Sequence, residues 1–185
     1  MTTARFAARA TTVLLLLAAC GGNGAASTTS ASPSAGDDQE GTMRLTSTAF
    51  EDQGAIPAEY TCDGEDVSPP LRIAGIPETT QTLVVIIDDP DAPGGTWDHW
   101  VAFNIAPTTE IPRAVGALGT AGVNSFGNTG YGGPCPPSGT HRYVHQVYAL
   151  DIELGLGEGA AKDEVLAELQ GHVLAEARLT GLYSR

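Results

Sequence analysis

Positive charge is scarce in this sequence, and long apolar runs are missing. Nine Lys and Arg stand against 22 Asp and Glu, a formal net charge of −13 at pH 7. A chain with that balance is repelled by phosphate backbones, which argues against nucleic acid as a partner. Nor does it offer a polybasic stretch for an anionic membrane surface. The apolar run Val13–Leu17 is too short to cross a bilayer as a helix. Histidine and cysteine are few, and neither H-x-H nor C-x-x-C occurs, so no metal site is expected. Ser125 and Ser138 lack a G-x-S-x-G context and no other nucleophile stands out, so the expectation is a protein that is not an enzyme. No internal repeat is visible.

What is present begins with a leader. Arg5 and Arg9 precede Val13–Leu17, and Ala18, Ala19 and Cys20 follow: a charged segment, a short apolar core and a small-residue cleavage site. Leu17-Ala18-Ala19-Cys20 resembles the bacterial lipobox, whose cysteine becomes the lipidated first residue of the mature chain; the alternative is an ordinary secretory signal. Residues 1–19 are therefore expected to be a lipoprotein signal peptide. Residues 20–41, almost entirely small and polar, are expected to be a lipidated flexible tether. Residues 42–185 then form one domain of common size. This predicts export and a lipid anchor on the outer face of a bacterial cell membrane. The mature chain would carry seven Lys and Arg against 22 acids. Cys62 and Cys135 remain, in a compartment that permits a disulfide; they form either a bridge or two free thiols.

Within the domain, alternation or β-branched runs predict strands at Met43–Ser47, Leu71–Ile73, Leu83–Ile87, Trp100–Ile105 and His141–Leu150. Phe50–Tyr60 and Pro107–Phe126 show no periodicity and are expected to be loops. Phe126–Thr140 is too rich in Gly and Pro for helix or strand. Lys162–Gln170 carries Val165, Leu166 and Leu169 on one face and is the one clear helix, with Gly171 as its stop. From Leu174 onward apolar and polar residues alternate again, giving a closing strand. The sum is a mainly β fold of about seven strands and one or two short helices.

Chemistry concentrates in two places. Leu83–Asn104 holds two apolar runs around D-D-P-D-A-P-G-G-T-W-D-H, and Gly133–Tyr143 follows the Gly/Pro segment. Asp89, Asp91, His99 and His141 are the polar candidates. As simple structural groups, Asp89 and Asp91 would cap turns around Pro90, and His99 would be a satisfied core histidine. As a site, the imidazoles and nearby loop N–H groups would hold a small anion, with Asp89 orienting or charging one ring. Binding would then strengthen at acidic pH.

The motifs D-P-D-A-P (Asp89–Pro93), W-D-H (Trp97–His99) and G-T-H-R-Y (Gly139–Tyr143) resemble the signature of the phosphatidylethanolamine-binding protein family, also called Raf kinase inhibitor-like proteins. Y-T-C-D-G-E-D-V-S-P-P-L (60–71) and G-Y-G-G-P-C-P-P (130–137) look like its bacterial branch. The resemblance implies a Greek-key β sandwich: a large antiparallel sheet, a smaller second sheet and peripheral helices. It implies a pocket for phosphate-like anions and phospholipid head groups, walled by Asp89, Pro90, Asp91, His99, Pro136, Pro137, His141 and Tyr143. No cofactor is implied. Alternative functions are a protein-interaction module inhibiting a protease or kinase, and a hydrolase or metal-dependent enzyme.

Overall fold

Residues 42–185 are the ones that the computed structural model describes, and the expected signal peptide, tether and Cys20 lie outside them. In chain order the strands are β1 (Arg44–Thr46), β2 (Gly54–Ala55), β3 (Leu71–Ala74), β4 (Thr82–Asp89), β5 (Trp97–Ile105), β6 (Glu110–Ile111), β7 (Thr120–Ala121), β8 (Thr140–Leu150) and β9 (Val173–Ser184). The helix α1 (Lys162–Glu168) precedes β9, and a 3-10 turn spans Ala58–Tyr60. The fold is mainly β, as the sequence predicts, with nine strands among the described residues against an expected total of about seven, six of which the sequence locates. The additional strands β2, β6 and β7 fall in segments expected to be loops. Each is two residues long, too short to carry periodicity, and each exists by docking on a longer neighbour.

A three-stranded sheet, β1-β3-β6, packs against a six-stranded one, β2-β9-β8-β4-β5-β7. The large sheet is antiparallel except at its edge, where β2 runs parallel to Gly181–Leu182 of β9. The centre belongs to β4, hydrogen-bonded to β5 on one side and β8 on the other. All eight of its residues are buried, which explains why its sequence is a continuous apolar run rather than an alternating one. Leu83, Val85 and Ile87 meet Leu45, Leu71, Ile73 and Ile111 of the small sheet. Val84 and Ile86 face the other way, onto Val101, Phe103, Val165 and Leu169. The helix is thus a third layer. Its start is stabilised by Glu164, whose carboxylate accepts the Ala161 N–H at 2.8 Å, and Gly171 just beyond its end adopts φ 83°.

The alternation along β4 continues through its two terminal acids and separates them. Asp89 points to the small-sheet side and Asp88 to the helix side. There Asp88 lies opposite Asp98 in the register, an arrangement of like charges that opposes pairing unless compensated. Lys162, the only lysine in the sequence, bridges the two carboxylates: its Nζ bonds Asp98 and lies 3.4 Å from Asp88. Burial pulls the lysine pKa down, but Asp98 and Asp88 outweigh it and hold the pKa above its usual value.

Candidate functional site

Asp89, His99 and His141 come from three adjacent strands, and the register brings them to one end of the large sheet. The β4–β5 pairing slips between Ile87 and Asp88, which oppose Trp100 and Asp98, leaving His99 as the extra residue. Such a bulge re-aims side chains beside it. Here Trp100 enters the inter-sheet core, and His99 turns to the same side, edge-on to Tyr143 at 5.2 Å and to Phe126 at 5.4 Å between ring centroids. Trp97, Asp98 and His99 therefore belong to the strand, not to a loop.

Asp89 is only 3% exposed, and both its oxygens are used. Oδ1 accepts the Asp91 N–H at 2.8 Å, which folds the turn after β4. Oδ2 accepts His141 Nδ1–H at 2.6 Å. His99 Nδ1–H donates to the Gly132 carbonyl at 2.7 Å, and the Gly132 N–H returns a bond to the His99 carbonyl at 2.9 Å. Each ring thus has its Nδ1 committed to an acceptor, leaving Nε2 for anything that enters. Burial lowers the His99 pKa, against the opposing pull of the Gly132 carbonyl and of Asp89. Burial raises the Tyr143 pKa and the Asp89 charge adds to it, so the phenol stays protonated; its hydroxyl is buried without a hydrogen-bond partner.

A cleft of about 240 Å³ opens here, bordered by Asp89, Ala92, Pro93, Trp97, His99, Phe126, Cys135 and Pro137. His141 and Tyr143 are not among the bordering side chains; they adjoin the cleft through Asp89 and His99. Pro136 is buried and Pro90 exposed. Asp91 stands outside, gripped by Arg142 through Nε at 2.9 Å, NH2 at 2.6 Å and the backbone N–H at 3.0 Å. That side-chain pairing holds the Asp91 carboxyl down to about 2. Phe126, absent from the predicted set, stacks edge-on against Trp97 at 5.5 Å and is 45% exposed. Only its position at the start of the Gly/Pro segment pointed to it. Beyond Phe126 and Cys135 lies a second cleft of about 230 Å³, whose border includes Cys62, Asp66, Asn124 and Tyr131.

Cys62 and Cys135 form a disulfide across 73 residues of chain. It ties the turn after Tyr60 to the segment carrying Gly132 and Pro137. Among the described residues, no three His, Cys, Asp or Glu side chains gather in a metal-ligating group. His141 and His145 share a face of β8, but four residue steps along the strand separate them by roughly 13 Å. His145 is fully buried against Phe50, and burial takes its pKa down to about 4.

A two-sheet sandwich whose central strands end in a histidine–carboxylate cleft defines a class, and comparison with known proteins identifies it. A family model described as "Phosphatidylethanolamine-binding protein" matches residues 46–184. The chain belongs to that family. It is 51% identical over 150 residues to a UPF0098 protein of the archaeon Methanothermobacter thermautotrophicus, covering 77% of this chain and 99% of that one. Among solved structures, a phosphatidylethanolamine-binding protein homolog from Chlamydia trachomatis superposes with a TM-score of 0.75 at 38% identity, covering 78% of this chain and 98% of that one. YbcL of E. coli gives a TM-score of 0.72 at 30% identity, covering 77% and 98%. The archaeal relative shows that the expected bacterial branch is too narrow a grouping.

Proposed function

We propose that this protein is a non-enzymatic binding protein, exported and lipid-anchored through Cys20 to the outer face of a bacterial cell membrane. Its ligand is a small phosphate-like anion or a phospholipid head group, taken in the cleft beside His99. The observation that carries this reading is the pair of buried imidazoles with both Nδ1 atoms committed, at 2.6 and 2.7 Å, to Asp89 and Gly132. Fixed rings of this kind orient a ligand. The family description, which names a phospholipid, supports the same chemistry.

A neutral imidazole whose Nδ1–H is spent offers only an acceptor at Nε2. An anion needs donors, so a proton taken up on an imidazole or on the phosphate itself adds to what the Tyr143 hydroxyl and the loop N–H groups supply. Affinity then rises on acidification, by up to about tenfold per pH unit for one proton taken up. The test is a thermal-shift series with inorganic phosphate, phosphoethanolamine and phosphatidylethanolamine micelles, run between about pH 8 and pH 5.5. The wild type is expected to shift more at the lower pH, and His99→Ala/His141→Ala not to shift at all. Normal binding by the double variant, or affinity that stays flat with pH, overturns the reading.

A further inference from the structure

The disulfide is placed unlike a purely structural one. Cys62 and Cys135 are both exposed, and both border the second cleft, while Cys135 also borders the histidine cleft. A cation stands beside one of the two sulfurs. Arg185 NH1 lies 3.4 Å from Cys135 Sγ. Asp63, next to Cys62 in the chain, holds Arg185 Nε at 3.1 Å and the Tyr183 hydroxyl at 2.8 Å. A guanidinium favours a thiolate beside it. In exchange, the sulfur of lower pKa leaves faster, and accessible disulfides are the labile ones.

We infer that Cys62–Cys135 is a thiol-exchange site for an external dithiol reductant, with Cys62 the sulfur attacked and Cys135 the leaving group held by Arg185. A thiolate of the reductant bonds to Cys62 Sγ, and the electron pair of the breaking Cys62–Cys135 bond leaves on Cys135 Sγ. The second thiolate of the reductant attacks the mixed disulfide and releases Cys62. The reductant gives up two electrons and two protons and becomes a disulfide; the two cysteines become thiols. Reduction removes the covalent hold on the segment from Gly132, whose carbonyl positions His99, to Pro137, which borders the cleft. The redox state of the pair therefore sets how firmly the cleft is built, a consequence that rests on the ligand reading above.

The experiment uses the full chain carrying Cys20→Ala, without denaturant, with glutathione and dithiothreitol as probes. Reduction is expected to go to completion in the folded protein, and quenched samples to carry glutathione on Cys62. Arg185→Gln should slow the reaction roughly threefold to tenfold, and Arg185→Lys should restore it. Reduction that requires denaturant, glutathione trapped on Cys135, or an unchanged rate in Arg185→Gln overturns the inference. A phosphate thermal shift is measured in both redox states. A shift that weakens on reduction supports the link to the cleft, and an equal shift in both states refutes that link. No shift in either state sinks the ligand reading and leaves the exchange result standing.

Discussion

Acidification should unfold this protein through a residue that takes no part in the cleft. His145 is buried in β8 with Nδ1–H donating to the Tyr143 carbonyl at 3.1 Å and Nε2 unpartnered. Burial takes its pKa to about 4 from the 6.5 of an unperturbed ring. Between those values the unfolded chain binds a proton that the native protein refuses, so the unfolded state carries more protons and stability falls as pH falls. The contribution is intact above the unfolded pKa and fully lost below the folded one. The difference amounts to about 3 kcal/mol, of which roughly 1.4 kcal/mol is lost by pH 5.5. Urea unfolding of wild type and His145→Leu across this range reads the effect of this ring together with its charge coupling to His99. Leucine also removes the orphaned Nε2, so the variant should be at least as stable at neutral pH. The advantage of His145→Leu should grow by about 3 kcal/mol between neutral pH and pH 4. A difference that stays constant within roughly 0.5 kcal/mol refutes the argument, since one pKa unit is already 1.36 kcal/mol. The same window is where ligand affinity should rise, so binding at pH 5.5 must be measured on protein shown to be folded.

Two further stability measurements test other features. Replacing both Cys62 and Cys135 by alanine should lower the urea-unfolding free energy by about 4 kcal/mol on the loop-entropy model for a loop of 73 residues. Lys162→Met strands the buried Asp88 opposite the half-buried Asp98 and should cost about 3 kcal/mol at neutral pH. Burial already raises the Asp88 pKa despite the lysine, so the deficit should shrink as pH falls and that carboxyl becomes neutral; a deficit independent of pH would sink the clamp.

Much of the frame was legible because it rests on pattern. The uninterrupted run in β4 announced a strand covered on both faces, and the alternation after Gly171 announced β9 although only its central residues gave the signal. Asp89, His99 and His141 stood out as chemistry where apolar runs ended. Three things were not legible, each for a physical reason. The bulge at His99 is a relation between two strands and leaves no mark in either alone. Asp88 and Asp89 look equivalent in sequence, and only the two-residue period of β4, fixed by its neighbours, sends one to Lys162 and the other to the cleft. The family resemblance puts Asp91 in the pocket wall, but nothing local foretells that Arg142, 51 residues later, takes both its oxygens.

The place of β4 between β5 and β8 also orders events in time. Its pairing with β5 closes a short hairpin, whereas its pairing with β8 joins Thr82 to Leu150 and Asp88 to Val144 across more than 50 residues. Loops of that length close late and make such topologies slow to fold. Asp89 and His99 can approach each other in the hairpin, but His141 arrives only when β8 docks. A chain that has not completed its central sheet has no Asp89–His141 pair, so the cleft comes into being with the last long-range contacts of the fold.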